Sequence, residues 1–148
     1  MEPRMNHKSA NPDALKAMLA FEQAARGSGI DGKLYELIKL RASQLNGCSF
    51  CIDMHAKDML NQGESLDRIL LLATWREVPL YTERERAVLE LTEYATKVSE
   101  NGVPREVYDR VRAHFDEKQF VDLILAINAI NAWNRLSLAT GMFPGCFN

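Results

Sequence analysis

Two thiols three residues apart, Cys48 and Cys51, are followed four residues later by an imidazole, His55. At about 100° per helical residue, the three fall within about 60° of one another on a helix surface. Gly47 stands directly before them, where a helix would begin. The pattern predicts two cysteines at a helix N-terminus and a histidine one turn further along the same face. The thiolate is the reactive form of cysteine, and a helix N-terminus favours negative charge, so this arrangement suits thiol redox chemistry. The helix dipole supplies about 0.3–1 kcal/mol, less than one pKa unit, against a free-thiol pKa of about 8.5. A useful nucleophile therefore needs a further base or cation, and His55 is the nearest by spacing.

A Cys-x-x-Cys can also hold a metal or sit inert in a core. A structural zinc site takes four ligands. Cys48, Cys51 and His55 supply three, and Cys146, His7 and His114 are remote in sequence. A catalytic zinc on three ligands and an inert buried pair stay as competing readings. Thioredoxin-like chemistry expects a βαβ setting, which the pattern does not offer. The expectation is therefore dithiol chemistry with no metal and no cofactor.

The 148 residues are enough for one domain with a sizeable core, and a single domain spanning 1–148 is expected. With 47% hydrophobic and 26% charged residues, the composition is that of an ordinary globular protein. Net charge is −2 and both signs are mixed along the chain, so there is no basic patch for nucleic acid. Met1 to Asp13 is polar and lacks the apolar run of a signal peptide. Apolar runs such as Ile69 to Ala73 are far too short to span a bilayer. A cytoplasmic location is expected, where thiols are held reduced and a Cys-x-x-Cys serves catalysis or metal binding rather than stapling.

The elements that must carry these residues read as helices throughout, an all-α bundle of about seven. Asn11-Pro12-Asp13 starts one over Ala14 to Ala25, and Gly27 to Gly29 breaks it. Asp31 caps the next, which runs to about Leu45 before Asn46-Gly47. The helix of Cys48 and Cys51 ends near Gly63. Ser65 caps a short helix to about Trp75. Thr82 and Glu85 have capping-box spacing and open a helix to about Val98. Pro104 suits a first helical position, with Val107, Val111 and Phe115 four apart. The last helix runs from Glu117 to about Thr140 and stops at Gly141. It is apolar on most faces, which suits a central or subunit-facing helix. Asn128, Asn131 and Arg135 stripe it at i, i+3 and i+7; they either bond to neighbouring helices or subunits or face the cysteine site.

The stretch Glu36 … Ser43-Gln44-Leu45-Asn46-Gly47-Cys48-Ser49-Phe50-Cys51 … His55 resembles the core of the alkylhydroperoxidase D-like proteins of the carboxymuconolactone decarboxylase superfamily. The matched pattern is Glu, twelve residues on Cys, three on Cys, four on His. The resemblance is strong over about Leu34 to Gly63 and extends more weakly to Asn131-Ala132-Trp133-Asn134-Arg135. It implies that Glu36 joins His55 and the thiols in a proton relay, and that Cys51 attacks while Cys48 resolves. Position at the helix end favours the reverse order, since Cys48 is nearer the dipole. Phe50 departs from the pattern, standing where a well-studied bacterial member has a second histidine. The resemblance also implies an all-helical homo-oligomer, a trimer or hexamer.

The dithiol pattern taken with this resemblance implies an antioxidant thiol peroxidase. A thiolate takes an oxygen from a peroxide substrate, the partner cysteine closes a Cys48–Cys51 disulfide, and an external dithiol or thiol reductant reopens it. A redox-sensing or thiol–disulfide interaction protein is one rival. A carboxymuconolactone-type decarboxylase is the other, although members with that activity generally lack the paired cysteines. After mild peroxide treatment, mass spectrometry should find Cys48 linked to Cys51 and Cys146 untouched; preferential linkage of Cys146 to either would overturn the pairing.

Overall fold

In the computed structural model of the protein, which describes residues 1–147, every regular element among the described residues is a helix. The expected domain limit at residue 148 lies outside the described residues. In order come α1 (His7–Ala10), α2 (Pro12–Arg26), α3 (Gly32–Asn46), α4 (Ser49–Asn61) and α5 (Leu66–Leu70). A 3₁₀ segment (Leu72–Glu77), α6 (Glu83–Thr96), α7 (Val98–Asn101), α8 (Arg105–Arg112) and α9 (Glu117–Thr140) complete it. Nine α-helices and a 3₁₀ segment among the described residues exceed the seven or so expected. The surplus is short. α1 and α7 are single turns, too brief to show an apolar period. The helix expected over Leu66 to Trp75 divides at Leu71 (φ −93°, ψ 5°), and Thr74 is again non-helical (φ −116°, ψ 30°).

The longer helices begin where capping chemistry places them. Asn11 accepts from Ala14 N at 3.0 Å and Asp31 from Leu34 N at 3.2 Å. Full capping boxes open α6 (Thr82 with Glu85) and α9 (Asp116 with Gln119). Pro104 sits one position earlier than expected, as the residue preceding α8.

α3 is the buried axis. It packs against α4, α6 and α9, while α2 lies along α9 and α8 along α6. Leu34, Leu37, Ile38, Leu40 and Ala42 of α3 join Leu89 and Leu91 of α6 and Leu123, Ala126, Ile127, Ala129 and Ile130 of α9 in one core. The apolar character of α9 is thus spent largely inside the chain. Val121 and Leu138 are its exposed large apolar residues. Among the described residues, no helix is long and apolar enough to cross a membrane.

The polar stripe on α9 is not where the spacing put it. Asn131 is buried, but Asn128 and Arg135 are exposed, and the second buried amide is Asn134. The helical period explains this. The buried face centres on Ile127, Ile130 and Asn134, with Asn131 at its margin. Asn128 and Arg135 turn about 40–60° beyond Asn131. Asn46 Nδ2, at the last position of α3, donates to Asn131 Oδ1 (2.9 Å) and Asn134 Oδ1 (3.0 Å). Asn134 Nδ2 donates to Ser43 Oγ (3.0 Å), and Ser43 in turn donates to Lys39 O (2.7 Å). Asn131 Nδ2 donates to Thr96 Oγ1 and Ile127 O. This polar seam fixes α9 against α3 in one register, because a slipped register would leave buried amides unpaired. Asn134→Ala should cost about 2 kcal/mol in urea unfolding, whereas Asn128→Ala should stay within about 0.5 kcal/mol of the parent. Equal effects at the two positions would refute the seam.

Candidate active site

The turn between α3 and α4 presents the thiols. α3 ends at Gly47, whose left-handed φ of 69° is open to glycine and costly for other residues. Cys48 N then donates back to Ser43 O at 3.0 Å, closing the turn. Cys48 becomes the N-cap of α4, and its Sγ accepts the N–H of Cys51 at 3.3 Å. The two Cα atoms are 5.3 Å apart and the sulfurs are joined as a disulfide. Both cysteines are 1% exposed. Cys146 is free and half-buried near the C-terminus.

His55 follows one turn along α4, on the same face, and is buried. Its Nδ1 lies 3.0 Å from Glu36 Oε2 on α3. Glu36 is itself 1% exposed, so the spacing that suggested it has put a buried carboxylate against the imidazole. With the carboxylate ionised, Nδ1 carries the hydrogen, which leaves Nε2 as the nitrogen able to accept a proton. The other carboxylate oxygen, Oε1, accepts from Arg26 Nη2 of α2 at 3.4 Å. All four expected residues, Cys48, Cys51, His55 and Glu36, are therefore brought together. Asn128, Arg135 and His114 are exposed and take no part.

Sequence reasoning missed four further side chains. Lys39 stands three residues after Glu36, so helical spacing carried its signal. Its ammonium is buried against Glu22 of α2 and lies 4.6 Å from the Tyr35 ring centre. Burial pushes Lys39 down to about 7, with the Asp58 carboxylate pulling the other way. Contact with Glu22 also favours its charged form. Arg26, Ser137 and His7 gave no sequence signal, since their place depends on packing between distant elements. Ser137 of α9 sets its Oγ 3.8 Å from Cys51 Sγ.

Cys51 and His55 open onto a common cavity of about 410 Å³. Leu15, Leu19, Phe50, Met54, Trp133 and Met142 make much of its wall apolar, with Lys39, Arg26 and Ser137 also at its edge. Cys48 does not line it. His7 does, although it lies in the N-terminal turn α1. As for a metal, Glu36, His55 and Asp58 offer ligand atoms within 4.8 Å of one another. Both Glu36 oxygens are already engaged, by His55 and Arg26, and Lys39 adds positive charge beside Asp58. A cation there would have to displace these partners, and the sulfurs lie outside the group.

Lys39 sets a pH signature. Below about 7 the folded and unfolded chains both hold its proton, and the whole burial penalty opposes folding. Between about 7 and the ordinary 10.5 the unfolded chain keeps a proton that the folded chain has released, so stability rises with pH. Lys39→Met removes this contribution. The wild-type-minus-variant difference in unfolding free energy should climb by up to about 1.4 kcal/mol per pH unit across that range. A difference that is flat with pH would show that Lys39 keeps its ordinary charge.

Comparison with known proteins bears on this geometry. A model described as the carboxymuconolactone decarboxylase family matches residues 12–94. The uncharacterized protein YdfG of Bacillus subtilis is 46% identical over 141 residues, covering 95% of this chain and 96% of that protein. The alkyl hydroperoxide reductase AhpD of Rhodospirillum centenum is 33% identical over 67 residues, covering 45% of this chain and 36% of that protein. A crystal structure from Agrobacterium tumefaciens, of a protein of unknown function offered as a candidate antioxidant defence protein AhpD, has a TM-score of 0.94. It is 42% identical, covering 97% of this chain and 99% of that one.

Proposed function

The chain belongs to the carboxymuconolactone decarboxylase family, and from that premise we propose that it is a thiol peroxidase. The observation that carries this reading is the shared cavity: Cys51 opens onto it beside His55, whose ring is held by a buried Glu36. The reductive half leaves Cys48 and Cys51 as thiols. His55 Nε2 takes the Cys51 proton, and Glu36 steadies the imidazolium that forms. The Cys51 thiolate attacks the terminal peroxide oxygen, the O–O bond breaks, and the leaving alkoxide takes the proton from His55. Cys51 is now a sulfenic acid and the peroxide has become an alcohol. Cys48 sulfur attacks the Cys51 sulfur, forming the disulfide and releasing water. An external dithiol supplies the two electrons and two protons that restore both thiols.

The cavity also supports Cys51 as the attacking thiol. Cys48 has the better position for the dipole, but its Sγ caps α4 and does not face the cavity. Access outweighs a dipole contribution of about 0.3–1 kcal/mol. Ser137 Oγ, close to Cys51 Sγ, can donate a hydrogen bond to the thiolate.

Multiple turnovers of an organic hydroperoxide with excess dithiothreitol test the proposal. A single stoichiometric oxidation with no turnover would favour the redox-sensing reading instead. Glu36→Gln and His55→Asn should each lower kcat/KM at pH 7 by at least about tenfold. Much of the loss should return near pH 9, where a thiol of pKa about 8.5 ionises unaided. A loss of the same size at every pH would count against the relay.

A further inference from the structure

His7 is the group in this cavity that the mechanism above leaves idle. It is 8% exposed, lines the same space as Cys51 and His55, and has no hydrogen-bond partner on either ring nitrogen among the described residues. Its place is built. Three residues earlier, Arg4 N donates to Thr140 O at 2.9 Å and Arg4 Nη1 to Ala139 O at 3.1 Å. The N-terminal segment is thereby clasped to the C-terminal end of α9. Gly141 makes room for the clasp, since a Cβ there would come within 3.2 Å of the Arg4 backbone. An apolar residue at position 7 would fill the same space without an unpaired polar group, so a buried imidazole with two unpartnered nitrogens points to a visiting molecule.

We propose that His7 is a substrate-contacting residue, hydrogen-bonding the oxygen end of the molecule that enters the cavity. The assignment rests on the peroxidase reading of that cavity. Burial, aided by the neighbouring Lys8 charge, holds the His7 imidazole below its ordinary value, so it is neutral at pH 7. A neutral imidazole presents one donor and one acceptor. A hydroperoxide presents an O–H donor and acceptor oxygens, and the alcohol it leaves behind does the same. The apolar wall formed by Leu15, Leu19, Trp133 and Met142 takes the carbon end. His7 exchanges no proton in this role; it orients the oxygen end while Cys51 and His55 do the chemistry.

The test uses 2-phenylpropan-2-ol, the alcohol left by cumene hydroperoxide, as an unreactive probe followed by NMR. In the wild-type protein it should shift the His7 ring resonances saturably. His7→Phe keeps a flat aromatic ring and removes both nitrogens, and it should weaken binding by about five- to tenfold, the worth of one hydrogen bond. His7→Gln restores a donor and an acceptor and should recover binding to within about twofold of wild type. With cumene hydroperoxide and dithiothreitol, His7→Phe should raise KM by a similar factor and leave kcat nearly unchanged. Unchanged probe affinity in His7→Phe, or no saturable shift of the wild-type ring, overturns the proposal. The ring shift needs no variant, so a misfolded variant cannot mask the result. Binding through His7 without peroxide turnover would instead uphold this assignment and remove the peroxidase reading.

Discussion

A carboxylate that is 1% exposed cannot stand alone, and the partners that Glu36 gathers define the geometry of the site. Its two oxygens face different helices. One meets the imidazole of His55 on α4, and the other meets the guanidinium of Arg26 on α2. Removing either partner leaves charge in a place that water barely reaches, so α2 and α4 are bound to one angular setting around α3. Just beyond, Lys39 and Glu22 repeat the theme between α3 and α2. The two sulfurs, joined as a disulfide, have no ionic partner of their own among the described residues. They are held by covalent closure, by the α4 N-terminus and by the left-handed turn at Gly47.

Further along the same face of α3, toward its C-terminal end, the bonds are neutral. Ser43, Asn46, Asn131, Asn134 and Thr96 pass hydrogen bonds from α3 to α9 and α6. α3 therefore carries charged contacts in the middle of this face and amide contacts to α9 at its C-terminal end. Such a helix can be neither rotated nor slid without breaking one set or the other. That rigidity matters for Cys51, because Ser137 belongs to α9 while Glu36 belongs to α3, and both must stay in register with α4.

Much of this was legible in the sequence where a signal is local. The phase of Cys48, Cys51 and His55 follows from the helical period alone, and α9 runs from Glu117 to Thr140 as its cap and Gly141 dictate. Thr82 with Glu85 announced α6 in the same way. Glu36 came from a family pattern, since a lone acid in a charged helix carries no mark of burial. What the chain did not disclose depends on which faces meet. Asn128 and Arg135 share a spacing with Asn131, yet the burial boundary passes between them, and only packing sets that boundary. Arg26, His7 and Ser137 reach the cavity from elements far from Cys51 in the chain. The breaks at Leu71 and Thr74 interrupt a segment whose apolar pattern reads as continuous.

The clasp between Arg4 and the end of α9 joins residues 135 positions apart. Ser137 meets Cys51 across a separation of 86. Synthesis is vectorial, so the thiols leave the ribosome well before the helix that backs them and before the clasp has anything to hold. Contacts of such long range are entropically the slowest to close. Until α9 docks, Cys48 and Cys51 belong to an exposed α3–α4 hairpin, open to oxidation and mispairing. The order of synthesis thus leaves the two cysteines without the back wall of their pocket until α9 has been made and docked.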